Sequence, residues 1–135
     1  SQIPTDTLSS WMADKNSDNK PLLLDARTAE EFGVSHLKAA HLTPSEKEAE
    51  VLLADVPHDR RIVVYCSVGY RSSELAAKLM QQGFTNIHNL EGSLFAWANE
   101  GRPVYQNEQA VKIVHPFDSI WGRLLKETLK WHKPD

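Results

Sequence analysis

The sequence has very little cysteine, since Cys66 is the only one among 135 residues. A single cysteine excludes a disulfide within the chain, and the lack of a second thiol excludes a thiolate zinc site. The histidines do not compensate, because no two of them have the i, i+4 spacing that places two ligands on one helix face. They are His36, His41, His58, His88, His115 and His132. We therefore predict a protein without a metal site or a cofactor.

Excess positive charge and long apolar runs are also missing. The formal net charge is −3 at pH 7, and the 15 lysines and arginines are scattered along the chain, so no basic patch for nucleic acid is expected. No apolar run approaches the roughly 18 residues of a membrane span. We predict a soluble protein that binds no nucleic acid, and the composition argues against contact with a membrane.

The length and composition suit one folded domain. A chain of 135 residues can build one hydrophobic core, and 41% apolar with 24% charged residues is typical of globular proteins. We predict one domain over residues 1–104 and a C-terminal extension over residues 105–135. The single cysteine leaves the compartment open and favours the cytoplasm. The chain does not begin with methionine, which leaves a cleaved leader open.

Short apolar runs alternate with helical patterns along the first hundred residues. The run at 21–26 lacks polar alternation, which is typical of a strand that is buried in a parallel sheet. A second buried strand is predicted at 61–65, and a third strand at 86–90. Thr28 and Glu31 form a capping box for a short helix. Further helices are predicted at 8–13, 44–56, 73–82 and 93–100. This alternation indicates right-handed crossovers in a parallel sheet, so the predicted fold class is α/β.

The residues after the second predicted strand carry the chemistry. Cys66 lies at the carboxyl end of that strand, where α/β proteins bind ligands. The loop that follows it consists of Ser67, Val68, Gly69, Tyr70, Arg71 and Ser72. Its backbone N–H groups, the start of the next helix and the charge on Arg71 favour an anion and a lowered pKa of Cys66. We therefore predict a reactive thiol in an anion-binding loop.

Two less specific interpretations of these residues stay open. Cys66 could be a small apolar side chain of the core, which is the usual fate of a lone cysteine. Arg71 could be the structural partner of a carboxylate, with or without a role in anion binding. The position of Cys66 beside a glycine and an arginine, at the start of a helix, favours the reactive thiol.

Several ordered motifs resemble the rhodanese-like family. They are Leu-Leu-Leu-Asp-Ala-Arg at 22–27 with Glu31 and Phe32 after it, Ile-Val-Val-Tyr-Cys at 62–66 with its loop, and Leu-Glu-Gly at 90–92 followed by Trp97, Gly101 and Pro103. The resemblance covers most of the chain from Ile3 to Val104 and implies a five-stranded parallel sheet with helices on both faces. The sequence departs from it at 35–41 and at Ser93, where glycines are usual, so the family's turn geometry does not carry over there.

The resemblance also implies a sulfurtransferase. Cys66 would accept a sulfane sulfur from thiosulfate or a persulfide donor and pass it to a thiophilic acceptor such as cyanide or a thiol. The cradle for the persulfide and the anionic donor would consist of Ser67, Val68, Gly69, Tyr70, Arg71 and Ser72. Arg71 matches the basic substrate-binding position, and Asp25 with Arg27 matches a scaffold ion pair. Because the chain has no resolving thiol, the sulfur must leave to an external acceptor.

Two other functions are compatible with such a fold. Related phosphatases and arsenate reductases resemble a Cys-x5-Arg pattern, whereas Cys66 and Arg71 have the shorter Cys-x4-Arg spacing. The shorter loop narrows the cradle and favours attack on a terminal sulfur. The other alternative is a non-catalytic module that binds a protein partner, and the presence of both Cys66 and Arg71 argues against it.

The C-terminal extension carries an amphipathic pattern. Its apolar residues recur at three- and four-residue spacing after Pro116, which predicts a helix over 116–132. They are Phe117, Ile120, Trp121, Leu124, Leu125 and Trp131. We expect this helix to pack on its own domain, with self-association, docking of a protein partner and membrane-surface contact as alternatives. A further alternative places the extension over the mouth of the site, where Tyr70 would offer an aromatic contact.

Overall fold

Five strands form one parallel sheet in the computed structural model, which describes residues 1–134. They are β1 (Gln2–Ile3), β2 (Leu22–Asp25), β3 (His41–Leu42), β4 (Ile62–Tyr65) and β5 (Ile87–Leu90). The order across the sheet is β1-β5-β4-β2-β3, and every neighbouring pair is parallel. The prediction of an α/β fold with a five-stranded parallel sheet is confirmed.

β4 lies at the centre of the sheet because its residues suit burial on both faces. All four side chains of its Ile-Val-Val-Tyr run are buried, and β-branched residues pack well on a pleated surface. β4 pairs with β2 along its whole length and with β5 over three residues. The carboxyl ends of these three strands therefore meet at the same edge of the sheet.

Helices cover both faces of the sheet. In the described residues they are α1 (Thr5–Met12), α2 (Ala29–Val34), α3 (Glu46–Leu52), α4 (Tyr70–Gln81) and α5 (Ser93–Asn99). One apolar core joins Val63 and Tyr65 to α1 and α5, and the other joins Ile62 and Val64 to α3 and α4. Alternate side chains of β4 thus belong to opposite cores. Among the helices of residues 1–134, none combines the length and apolar character needed to cross a bilayer.

Two local details bear on the sequence predictions. The capping box of α2 is confirmed, since the Thr28 hydroxyl accepts from the backbone of Glu31 and the Glu31 carboxylate accepts from the backbone of Thr28. Ala39 and Ser93 have positive φ angles of 63° and 51°. Ala39 lies in the segment 35–41, and that segment and Ser93 are where the sequence departs from the resemblance described above. Glycine adopts such angles with less strain than other residues.

The C-terminal extension does not form the predicted helix. β6 (Val104–Gln106) and β7 (Gln109–Val111) make an antiparallel hairpin. Residues 116–132 contain two short 3₁₀ helices, Trp121–Leu124 and Glu127–Leu129, where an amphipathic α-helix was expected. The prediction of that helix is therefore wrong, although the apolar residues do recur at three- and four-residue spacing.

Hydrogen bonds to other segments explain why no α-helix forms. The backbone N–H of Val114 donates to Leu129 O (2.7 Å), and its carbonyl accepts from Trp131 N (2.9 Å). The Asn99 side chain bonds Leu124 O (2.7 Å) and the N–H of Lys126 (2.9 Å). Leu124 O, Lys126 N and Trp131 N are backbone groups that a helix over 116–132 would pair within itself.

The extension nonetheless packs on its own domain. Val114 and Leu125 are buried in the core that also contains α1 and α5. This contact agrees with the first of the packing alternatives for the tail. The division of the chain at residue 104 stays a prediction.

Candidate active site

Cys66 directly follows β4, and the loop after it turns into α4. Gly69 has a φ angle of 114°, a left-handed conformation that glycine adopts without strain, and α4 begins at the next residue. The carbonyl of Cys66 accepts from Leu94 N (3.0 Å), and that of Ser67 accepts from Phe95 N (3.0 Å). The start of α5 thereby fixes the backbone around the thiol.

Hydrogen bonds converge on the sulfur of Cys66. Its Sγ accepts from the backbone N–H of Gly69 (3.1 Å) and from the Ser72 hydroxyl (3.4 Å). Burial alone raises the pKa of this thiol, but the bonds from Ser72 and Gly69 and the charge on Arg71 outweigh burial and lower the pKa below its ordinary value. The direction agrees with the sequence prediction, and it favours the thiolate, which is the nucleophilic form.

Ser72 has a second partner, Asn89 of β5. Its Oγ lies 2.5 Å from Asn89 Oδ1, 3.2 Å from Gly69 O and 3.4 Å from Cys66 Sγ. A hydroxyl carries one proton, so these acceptors compete for it. Asn89 Nδ2 donates to Ser73 Oγ (2.8 Å), which itself donates to Gly69 O (2.7 Å), so the orientation of the amide is fixed. Asn89 thus limits how often Ser72 donates to the thiol.

Arg71 forms a two-pronged ion pair with Glu31. Nη1 donates to Oε1 (2.7 Å) and Nη2 to Oε2 (2.9 Å). The Ser67 hydroxyl joins the pair, since it accepts from Nη2 (3.0 Å) and donates to Oε2 (3.0 Å). The Glu31 side chain is buried, whereas that of Arg71 is 28% exposed. The alternative in which Arg71 partners a carboxylate is therefore observed.

Glu31 stays ionised although it is buried. Burial raises its pKa, but the hydrogen bonds and charge of Arg71, the N–H of Thr28 and the charge of Arg27 outweigh burial and lower the pKa to about 2. The carboxylate offsets part of the Arg71 charge at the site. The loop N–H groups therefore add to the positive field that Arg71 supplies.

A second ion pair lies behind the site and is fully buried. Arg27 Nε donates to Asp25 Oδ1 (2.9 Å), and Nη2 donates to Oδ2 (2.7 Å) and to Ser35 O (2.6 Å). Both side chains are completely excluded from solvent. This arrangement agrees with the scaffold ion pair that the resemblance implied for these two residues.

The thiol opens onto a cavity of about 280 Å³. Four loop residues line it together with Cys66, namely Ser67, Val68, Tyr70 and Arg71. Phe117 and Trp121 of the extension complete the wall, and the Phe117 ring lies 4.5 Å from the Arg71 guanidinium carbon. The extension therefore lies at the mouth of the site, near Tyr70, as well as packing on its own domain.

Five residues at the site were not predicted there from sequence. The sequence predicts Glu31 only as a helix cap, and this local role gives no indication of its contact with Arg71. Ser93 accepts from Cys66 N (3.2 Å) and donates to Leu90 O (3.0 Å), and its departure from the family pattern was the available signal. Asn89 is one of two adjacent polar residues in β5, His88 and Asn89, and the sequence carries no signal that separates them. Phe117 and Trp121 belong to the apolar pattern that predicts a helix face, and this pattern gives no signal for the cavity.

Known proteins resemble this chain in sequence. The family model of the rhodanese-like domain matches residues 6–100. A sulfurtransferase of Allochromatium vinosum is 35% identical over 112 residues, which cover 79% of this chain and 96% of that protein. A probable adenylyltransferase/sulfurtransferase of Mycobacterium tuberculosis, MoeZ, is 34% identical over 104 residues, or 76% of this chain. The chain spans only 26% of the length of MoeZ.

The fold also resembles solved structures. The crystal structure of a rhodanese-related protein from Thermoplasma volcanium has a TM-score of 0.65 to this chain. The match covers 78% of this chain and 98% of that one, at 24% identity. At this identity the likeness supports the fold alone.

Proposed function

The chain belongs to the rhodanese-like domain family, and we propose that it is a sulfurtransferase whose sulfur carrier is Cys66. The observation that carries the proposal is the thiol itself. It lies at the carboxyl end of β4, accepts hydrogen bonds from Gly69 and Ser72 that lower its pKa, and borders a cavity. A core cysteine without chemistry would need neither the donors nor the opening.

In the first half of the proposed reaction, the Cys66 thiolate attacks the outer sulfur of a donor such as thiosulfate. A bond forms between Sγ and that sulfur, and the bond to the sulfonate sulfur breaks. Sulfite leaves with the electron pair, and the negative charge moves to the terminal sulfur of the persulfide. The loop at Ser67, Val68, Gly69, Tyr70, Arg71 and Ser72 would hold the donor and the persulfide. The first N–H groups of α4 lack carbonyl partners in their own helix, so they suit this role.

In the second half, an external acceptor takes the sulfur. A cyanide ion or a thiolate attacks the terminal sulfur, and the Cys66 thiolate leaves with the electron pair. The chain has no second cysteine, so no internal disulfide can release the sulfur. A lone thiol that stays reduced between turnovers suits a reducing compartment such as the cytoplasm.

The ion pair between Arg71 and Glu31 argues against phosphatase chemistry. Both prongs of its guanidinium contact Glu31, and the carboxylate stays ionised. A phosphate dianion in the loop would meet a partly compensated cation beside a carboxylate, which weakens the electrostatic stabilisation that phosphoryl transfer requires. Sulfur transfer leaves its negative charge on the persulfide, next to the N–H of Gly69.

Steady-state kinetics tests the proposal. We expect thiocyanate to form from thiosulfate and cyanide, with the parallel double-reciprocal lines of a covalent intermediate. Cys66→Ser should lose the activity while keeping its melting temperature within a few degrees. Hydrolysis of a phosphate ester that depends on Cys66, without thiocyanate formation, would contradict sulfur transfer. Binding of a protein without either activity would indicate the non-catalytic module.

A further inference from the structure

The extension places aromatic rings where a sulfur donor has to enter. Phe117 and Trp121 line the cavity beside Cys66 although they are 40% and 44% exposed. Contact with water is unfavourable for large aromatic side chains at a protein surface. Neither ring is buried in the apolar core that holds Leu125 of the same segment. Their position is thus explained by the cavity better than by the stability of the fold.

The size of the cavity exceeds the needs of a small inorganic anion. Its volume of about 280 Å³ is just below the range of pockets that bind small organic ligands, roughly 300 to 1,000 Å³. The thiol is at one part of the wall, and the two aromatic rings are at another. A donor that reaches Sγ with its sulfane sulfur has the rest of its structure beside these rings.

The charge at the mouth favours the same kind of donor. The Arg71 guanidinium is paired with the ionised Glu31 carboxylate, and the Phe117 ring packs near it at 4.5 Å. An inorganic dianion therefore meets a cation whose charge is already partly compensated. Binding of a donor with a single negative charge depends less on the Arg71 charge than binding of a dianion does. An apolar group on that donor also gains contact with the aromatic rings.

We propose that the site selects organic sulfane-sulfur donors that carry an apolar group of about the size of a phenyl ring. Phe117 and Trp121 are the specificity-determining residues. The inference rests on the proposed function of Cys66. For an organic thiosulfonate, the thiolate attacks the terminal sulfur, the bond from that sulfur to the sulfonyl sulfur breaks, and the sulfinate leaves with the electron pair.

Two donors that differ only in the organic group test this selection. Benzenethiosulfonate and methanethiosulfonate share the reacting atoms and the charge. The ratio of their kcat/KM values is measured for each variant. The intrinsic reactivities of the two donors cancel when this ratio is compared between variants. In Phe117→Ala/Trp121→Ala we expect the benzene-to-methane ratio to fall about tenfold from the wild-type value, since each aromatic contact contributes several-fold. The value for methanethiosulfonate should fall less than the value for benzenethiosulfonate.

A matched control uses two exposed apolar residues of the same extension that lie outside the cavity lining, Ile120 and Leu124. Ile120→Ala/Leu124→Ala should keep the ratio within twofold of the wild-type value. An unchanged ratio in Phe117→Ala/Trp121→Ala would overturn the inference. An equal fall in both double variants would also overturn it, because the effect would then be structural.

Product inhibition of the wild-type chain provides a test that needs no variant. Benzenesulfinate should inhibit about tenfold more strongly than methanesulfinate, and equal inhibition would overturn the selection. Intact mass separates the two proposals. A Cys66 persulfide from both donors with no aromatic preference overturns the donor selection alone, whereas no persulfide from either donor overturns the sulfurtransferase proposal and the selection with it.

Discussion

Replacing Glu31 with glutamine removes the buried charge that Arg71 contacts. Glutamine has nearly the same shape and still serves as the third residue of a capping box with Thr28. The variant therefore tests the ion pair with little change to the start of α2. Arg71, which is 28% exposed, would keep two neutral hydrogen-bond partners, the glutamine carbonyl oxygen and the Ser67 hydroxyl, and lose its counter-charge.

The pKa of Glu31 gives the size and the pH range of the effect. The carboxyl has an ordinary pKa of 4.5 and a pKa of about 2 in the folded chain. At about 1.4 kcal/mol per pKa unit, this difference corresponds to about 3 kcal/mol of stability. Because the folded pKa is the lower one, the stabilisation is complete above pH 4.5 and is lost as the pH falls toward 2. By the same relation about 1 kcal/mol remains at pH 3.

Urea unfolding followed by tryptophan fluorescence measures this directly, since Trp97 is buried. We expect Glu31→Gln to lower the free energy of unfolding by about 3 kcal/mol at pH 7 and by about 1 kcal/mol at pH 3. Glu74→Gln, at an exposed position of α4, is the control and should change stability by less than about 0.5 kcal/mol. A deficit of Glu31→Gln that is the same at both pH values would refute the assignment of the stabilisation to the charge.

Three more variants test the hydrogen bonds and the packing around the thiol. Ser72→Ala removes a donor to Cys66 Sγ, so the pKa of Cys66 should rise, and the pH midpoint of alkylation by iodoacetamide should move up. Asn89→Leu removes the competing acceptor of Ser72, so that midpoint should move down, and a shift that persists alongside Ser72→Ala would contradict the competition. Gly92→Ala brings a Cβ within 2.5 Å of the Ala96 Cβ at a φ angle of 71°, so urea unfolding should show a loss of about 2 kcal/mol. A loss below about 0.5 kcal/mol would mean that α5 shifts freely.

The sheet and the place of Cys66 in it could be predicted because their signals are local. Apolar runs without alternation indicate β2 and β4, the place of a short segment between two helical patterns indicates β5, and the capping box indicates α2. β1 and β3 have only two residues each, which is too short for a periodic pattern. Their positions depend on pairing with β5 and β2, which is a property of the whole fold.

The wrong helix in the extension has a physical cause. Spacing of three and four residues predicts one apolar face, yet here Leu125 enters the core while Phe117 and Trp121 line the cavity. Gly122 packs against Pro116, where a Cβ would lie 3.0 Å from Pro116 Cβ. A segment that divides its apolar residues between two surfaces gives the same local pattern as an amphipathic helix.

The ion pair at the site shows a second limit of sequence reasoning. Glu31 and Arg71 are 40 residues apart, and the capping box with Thr28 already explained the glutamate. A local role therefore hid a tertiary one. The loop from Cys66 to Ser72, by contrast, could be selected because a thiol, a glycine and an arginine are adjacent in sequence between a strand and a helix.

Intact mass spectrometry tests the sulfur-carrying role of Cys66 most directly. The protein is incubated with thiosulfate, with and without cyanide, as the wild type and as Cys66→Ser. We expect the wild type to gain the mass of one sulfur atom and to lose it when cyanide is added, while Cys66→Ser gains none. A wild-type chain that gains no sulfur, or a Cys66→Ser variant that gains as much as the wild type, would contradict the proposed role of this cysteine.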